Sequence, residues 1–195
     1  MKIYNGLSGT FQEYRGGHFH GGIDLKTFQK TGYPVMAVSD GHILRIRMVK
    51  RGSGRALYLK HRDGHVSVYF HLDRFAPVLE KMTRRIQRQK RKKYFGNYYP
   101  KETIRFKRGE VIAYSGETGS GFPHLHLEIR DADNNALDPV PFFKYPGKEN
   151  RNPVIKTALI KPVEAGTIDG KIGKRFFRFH KMSNGRYQLN RPLIS

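Results

Sequence analysis

The chain has 195 residues, enough for one domain or for one domain with part of a second. Its 37% hydrophobic content supports a modest core, no apolar run approaches the roughly 20 residues of a membrane-spanning helix, and the absence of cysteine excludes disulfides and thiolate metal sites. A formal charge of +21 predicts attraction to polyanions, whether nucleic acid, anionic lipid or acidic wall polymer, without choosing among them.

Met1 to Gly6 shows no apolar leader, so no export signal is visible there. From there to Phe19 the chain is rich in glycine, serine and aromatics, with strand-like pieces around Leu7 to Tyr14. His18-Phe19-His20-Gly21-Gly22-Ile23-Asp24-Leu25 follows. A glycine inside a helix costs about 1 kcal/mol relative to alanine, so the adjacent pair predicts a tight loop running into a strand. Such a loop either brings His20 and Asp24 to one point, in the ligand chemistry zinc prefers, or leaves Asp24 capping a surface turn. His18, two residues before His20, is a rival for the same place.

From Gly32 the chain reads as a β-meander. Pro34 to Val38, His42 to Val49 and Arg55 to Lys60 are the expected strands, with turns at Ser39-Asp40-Gly41 and Gly52-Ser53-Gly54. Arg62-Asp63-Gly64 is a hairpin signal, because Asp-Gly favours the positive φ angles of a tight turn. His65 to Leu72 alternates as one strand, with Val66, Val68 and Phe70 on one face and Ser67, Tyr69 and His71 on the other. Many short strands at close spacing predict an antiparallel sheet, folded over or partly closed.

Residues 76–93 break that rhythm. Val78, Leu79, Met82 and Ile86 have the i, i+3/i+4 spacing of an amphipathic helix. Between Lys81 and Arg108 there are twelve Lys or Arg residues against one acid, Glu102, which makes the segment either an anion-binding arm or the solvated face of an inserted helix. Tyr94, Phe95, Tyr98 and Tyr99 supply aromatics able to stack on sugars or bases.

Strands resume at Thr103 to Phe106 and Val111 to Tyr114. A glycine-rich turn then leads into His124-Leu125-His126-Leu127-Glu128-Ile129-Arg130, which alternates as a strand. Residues i and i+2 of a strand share a face, so the two imidazoles project together. The pair suits a metal site, a proton-transfer site or an exposed polar face. Asp131 to Asn135 is a turn, and the prolines of Ala136 to Phe143 favour an edge or exit segment. Residues 148–195, too few for an independent core, are expected to be a β-rich tail or the start of a second β-module.

Together, His20, Asp24, His71, His124 and His126 form a hydrolase inventory. Two histidines and a carboxylate supply three zinc ligands and leave the fourth tetrahedral position for water, whose pKa zinc lowers to roughly 7. Two further histidines are then free to take a proton and to stabilise an oxyanion. The His-Glu-x-x-His helix of the zincins is absent.

His20-Gly21-Gly22-Ile23-Asp24, Tyr69-Phe70-His71-Leu72 and His124-Leu125-His126 resemble, in order and spacing, the three signatures of the M23 (lysostaphin/LytM-type) zinc metallopeptidases. Connecting pieces match as well, among them Gly32 to Val35, Ser39-Asp40-Gly41, Lys60 to Gly64, Lys107 to Ile112 and Leu137-Asp138-Pro139. The resemblance covers roughly residues 6–143. It implies a mainly β fold, an antiparallel sheet with an open groove, here carrying one inserted basic helical segment. The expected organisation is a metallopeptidase domain over 1–147, with the insertion at 76–102, followed by 148–195.

The same resemblance implies one Zn2+ per chain held by His20, Asp24 and His126, with His71 and His124 as the catalytic histidines. It implies hydrolysis of amide bonds in peptidoglycan stem peptides or cross-bridges, and an exported, periplasmic or envelope-associated location. The alternatives are a non-catalytic LytM-like regulator or cell-wall-binding module and, less favoured, a nucleic-acid-binding protein. Expected partners are peptidoglycan and, through Arg84 to Lys93, an anionic wall polymer or membrane surface, with no specific nucleic acid. Leu127 departs conservatively from the family's frequent Phe.

Overall fold

In the computed structural model, which describes residues 6–143, 154–161, 166–168 and 170–190, the alternating stretches form short strands. In chain order these are β1 (Leu7–Gly9), β2 (Ile23–Lys26), β3 (Pro34–Met36), β4 (Gly41–Met48), β5 (Arg55–His61), β6 (Val66–Phe70) and β7 (Leu72–Phe75). The helix α1 (Pro77–Lys90) follows, then β8 (Gly96–Tyr98), β9 (Arg105–Phe106), β10 (Val111–Ser115), β11 (His124–Arg130) and β12 (Ala136–Leu137). The chain divides into two units, Met1–Gly147 and Lys148–Ser195. In the second unit β13 (Thr157–Ile160), β16 (Arg175–Lys181) and β17 (Tyr187–Leu189) form a three-stranded sheet, and β14 (Thr167–Ile168) pairs with β15 (Lys171–Ile172).

The first unit is built on an antiparallel sheet in the order β1-β2-β11-β6-β5-β4-β8, with β12 beside β11 and β9 beside β4. A smaller sheet, β3-β10-β7, packs with it. One face of the large sheet supplies Ile23, Leu25, Leu57, Leu59, Tyr69, Leu125 and Leu127 to the main core, which Val35, Ile112, Phe75 and Leu79 complete. The other face carries a smaller cluster of Ala56, Tyr58 and Val68, with Leu44, Val66 and Phe70 packed on it. Burial of each large side chain stabilises the fold by about 1.5–3 kcal/mol. That term also fixes register, because a one-residue slip would exchange the two faces.

The expected strand from His65 to Leu72 is interrupted. β6 ends at Phe70, and His71 takes a φ of 62°, in the left-handed region uncommon for a residue with a side chain. Its backbone N–H donates to the carbonyl of Ser53 at 3.1 Å instead of to a ladder partner. The face assignment read from alternation is therefore corrected for this pair. Tyr69 lies on the core face, 1% exposed, with its hydroxyl accepting from the Val38 N–H (3.1 Å) and the Ser67 hydroxyl (3.0 Å). The turn at His71 swings its imidazole to the opposite face.

Helix α1 begins with proline at its first position, where the missing N–H costs nothing. It buries Leu79, Thr83 and Ile86, and stops where Arg91 adopts the left-handed conformation, its N–H returning to the carbonyl of Arg88. The helix contains the Val78, Leu79, Met82 and Ile86 positions whose spacing predicts it, and lies within the 76–93 segment. The chain then folds back as β8, an edge strand beside β4, so the basic segment contributes to the large sheet as well as a helix.

Glu80 ties this helix to the sheet. Its carboxylate accepts from the Phe75 N–H at 3.1 Å and from Arg55 at 3.2 Å, and its side chain is 18% exposed. Replacing Glu80 with alanine leaves those donors unpaired and is expected to cost about 1–3 kcal/mol. Urea denaturation followed by circular dichroism checks this. Arg84→Ala, whose side chain is 72% exposed, is the control and should shift the midpoint little.

Candidate metal centre

The strand order β2-β11-β6 sets three sequence-distant motifs side by side. Asp24 on β2 stands directly opposite His126 on β11, which stands opposite Phe70 on β6. His20 arrives from the preceding loop. That loop folds back on itself, since the Gln12 N–H donates to the His20 carbonyl (2.8 Å) and the His20 N–H to Glu13 (2.9 Å). Between His20 and β2, a side chain at Gly22 would run into the Leu127 carbonyl and come within 2.9 Å of Glu128 Cγ. Only glycine lets the chain pass this close to β11.

Three acceptor atoms converge. His20 Nε2 is 2.8 Å from His126 Nδ1, which is 3.0 Å from Asp24 Oδ1, and Asp24 Oδ1 is 3.2 Å from His20 Nε2. All three residues are buried. The far nitrogens are anchored: His20 Nδ1 lies 2.7 Å from the Thr10 carbonyl and His126 Nε2 lies 2.9 Å from Glu128 Oε1. Those oxygens only accept, so each holds its imidazole's proton on the far nitrogen and turns the near lone pair inward. Two lone pairs and a carboxylate oxygen at this spacing repel one another unless a cation sits among them. A tetrahedral zinc with ligands at roughly 2.0–2.1 Å has neighbouring ligand atoms roughly 3.3 Å apart, so the donor set fits that ion in type and spacing.

A second layer of charge holds the first. Arg15 Nη2 lies 2.6 Å from Asp24 Oδ2 and also bonds Glu13, leaving Asp24 a single oxygen for the centre. Arg130 grips Glu128 Oε2 at 2.6 Å. Burial alone would raise the pKa of Asp24, but with no cation among the three residues, additional protons shared with His126 and His20, together with the Arg15 hydrogen bond, outweigh it and hold the carboxyl well below the usual carboxylate range. Glu128 behaves alike: burial acts upward, and His126 and Arg130 bring its pKa down.

His71 and His124 stand beside this group with ring centroids 4.6 Å apart. His71 Nδ1 lies 3.0 Å from the Thr118 carbonyl and His124 Nδ1 lies 2.9 Å from the Phe122 carbonyl, so the same tautomer logic leaves Nε2 of each as the working nitrogen. His124 Nε2 is 3.6 Å from Asp24 Oδ1. Burial, reinforced by the neighbouring histidines and only partly offset by the Thr118 bond, pushes the His71 pKa down to about 4. At neutral pH it is an unprotonated base. Thr118 is itself fixed, donating to the Leu72 carbonyl (2.8 Å) and accepting from the Arg55 N–H (2.9 Å). Phe70 stacks on His126 at 4.9 Å, with 9° between the planes.

The structure therefore brings His20, Asp24, His71, His124 and His126 together. His18 is exposed and lies outside the group; its carbonyl accepts from the Arg15 N–H at 2.9 Å. Sequence reasoning missed Glu128, Arg15 and Thr118. Glu128 had a signal, since it follows His126 by the same two-residue period that pairs His126 with His124. Arg15 and Thr118 had none, because loop conformation alone delivers them.

Because Glu128 orients His126 and sets its tautomer, Glu128→Ala is expected to weaken zinc binding about 10- to 100-fold. Competition against a chromophoric chelator measures it. Glu128→Gln, whose amide oxygen still accepts, should lose less.

Comparison with known proteins gives this geometry a lineage. The profile of Peptidase family M23 matches residues 18–139. The chain is similar to the glycyl-glycine endopeptidase ALE-1 of Staphylococcus capitis, 34% identical over 133 residues that make up 66% of this chain and 30% of the relative. It is similar to the murein hydrolase activator NlpD of Escherichia coli (strain K12), 29% identical over 121 residues covering 62% of this chain and 25% of that protein. The chain thus spans less than a third of the length of these curated relatives. Its structure is similar to the catalytic domain of lysostaphin from Staphylococcus simulans, with a TM-score of 0.52 and 26% identity over 71% of this chain and 91% of that one. With the three motifs converging on one buried centre and the profile spanning most of the first unit, the chain belongs to Peptidase family M23.

Proposed function

We propose that this chain is a zinc-dependent endopeptidase that hydrolyses amide bonds in peptidoglycan stem peptides or cross-bridges. The observation that carries the proposal is the inward convergence of three buried acceptor atoms from His20, Asp24 and His126 beside two more histidines of fixed tautomer. Zinc held there would supply a Lewis acid and a water of lowered pKa. His71, unprotonated at neutral pH, accepts at Nε2 the proton released as water oxygen adds to the scissile carbonyl carbon. His124 Nε2, at the more exposed side of the centre, faces the oxygen that gains charge as the carbon becomes tetrahedral and donates to it when the ring carries a second proton. The C–N bond then breaks and the leaving amine takes the proton. Similarity to a glycyl-glycine endopeptidase, ALE-1, supports the reaction.

Similarity to an activator of murein hydrolases gives a second reading, a wall-binding regulator that does not cut. Digestion of purified peptidoglycan with zinc-loaded protein, followed by mass analysis, separates the two. Cleaved peptides are expected, with the rate falling at least about 100-fold in His124→Ala. An intact wall at full zinc occupancy would sink the enzyme reading.

The basic segment is proposed to hold the protein on anionic wall polymer or membrane. Arg84, Arg88, Arg91, Lys92 and Lys93 surround an open concavity of about 670 Å³ that no acidic side chain lines. Retention on anionic vesicles or wall fragments should weaken steeply as salt rises above 0.15 M, where the Debye length is already down to about 8 Å. It should drop when these five residues are changed to glutamine. Retention insensitive to salt would rule out a charge-driven role.

A further inference from the structure

The sheet face that carries the metal ligands continues well past them. Asp24 stands opposite His126 and His126 opposite Phe70. The β6–β5 register then places Phe70 beside Ala56, Ala56 stands opposite Arg47, and Arg47 stands opposite Asn97 on β8. These residues form one row across six strands, and residues in one row share a face. The adjacent row on the same face runs Glu128, Val68, Tyr58, Arg45. Strands lie about 4.8 Å apart, so Arg47 is three strands, or roughly 14 Å, from His126.

The two arginines at the far end of these rows differ from others in the unit. Arg15, Arg55, Arg74 and Arg130 each pair with a carboxylate. Among the described residues Arg45 and Arg47 pair with none. Arg47 is held by neutral partners, Nε donating to the Ser53 hydroxyl at 3.1 Å and Nη1 to the Asn97 side-chain oxygen at 3.0 Å. Neutral acceptors orient the guanidinium without cancelling its charge. The Arg45 guanidinium lies 3.6 Å over the Tyr58 ring, and its buried Nε has no hydrogen-bond partner. Ser53, which orients Arg47, also accepts the backbone N–H of His71, so the arginine is anchored to the loop that positions a proposed catalytic histidine.

We propose that Arg47, with Arg45 beside it, is a specificity subsite that binds a carboxylate of the peptide substrate. The inference rests on the peptidase reading above and specifies its substrate. An extended peptide advances about 3.3 Å per residue, so a chain crossing β11, β6 and β5 from the scissile bond brings an acidic group to Arg47 after roughly four residues. A planar guanidinium with free N–H groups matches a carboxylate in charge and geometry. The inserted segment thereby gains a role in recognition: by folding back as β8 it delivers Asn97, the residue that aims Arg47.

The test uses two synthetic wall peptides that differ at one position, a free side carboxylate in one and its amide in the other. Binding and cleavage are measured with the zinc-loaded full chain. The wild type is expected to favour the acid about 10- to 100-fold, mainly through KM. Arg47→Gln should remove that preference by weakening the acid alone, Arg47→Lys should restore part of it, and Asn97→Ala should reduce it. Circular dichroism of each variant establishes that it is folded. Equal handling of both peptides by the wild type, or an unchanged preference in Arg47→Gln, overturns the subsite while leaving the peptidase reading intact. If neither peptide is cut and wall digestion also fails, the peptidase reading falls. Calorimetric binding of the two peptides still decides the subsite, because a preference for the acid needs no turnover.

Discussion

Two imidazole nitrogens and a carboxylate oxygen, all turned inward as acceptors, stand within 3.2 Å of one another in a buried pocket. This is a juxtaposition that a folded chain keeps only if the surroundings force it, since like partial charges repel strongly where water is excluded. Much of the first unit serves that end. The Thr10 carbonyl and Glu128 hold the imidazole protons outward, Arg15 takes up the second oxygen of Asp24, and Arg130 balances Glu128. Around the centre the sheet core fixes which residues of β2, β11 and β6 lie level, and so which atoms meet.

The same device, an oxygen that only accepts, sets the tautomer of four histidines. Two have their far nitrogens held by the frame beneath the metal group, and two by the loop carrying Thr118 and Phe122. That division parallels the proposed split between binding a metal and moving a proton. His71 depends on the loop at two points, its ring on Thr118 and its backbone on Ser53. The loops carrying Ser53 and Thr118 meet where Gly54 and Gly119 both have positive φ and leave no room for a Cβ. Changes there act on His71 without touching it.

The first unit presents its positive charge in two settings. On α1 and the turn after it, Arg88, Arg91, Lys92 and Lys93 are solvated and suit diffuse attraction to a polyanion. At β4, Arg45 and Arg47 lie on the sheet face beside Tyr58 and are held in place, which suits recognition of one group. In the proposed reading the first setting governs where the molecule resides and the second which peptide it accepts. Net charge does not separate them.

The sequence by itself determined the mainly β class, the amphipathic helix and the pairing of His124 with His126. Each follows from a local period of 2 or 3.6 residues that holds however the rest of the chain packs. It also offered Asp24 with either His18 or His20, a choice that spacing left open and only the motif resemblance closed, in favour of His20. Tertiary structure supplies the physical reason, leaving His18 in solvent and turning His20 inward through a loop pinned to Thr10. It placed Tyr69 and His71 on opposite faces, because a positive φ at His71 breaks an alternation that counts residues and not dihedrals. It brought in Arg15, Glu128 and Thr118, and it turned an anonymous basic insertion into an edge strand beside Arg47. Those contacts depend on strand order and loop closure, which join residues far apart along the chain and leave no periodic trace in it.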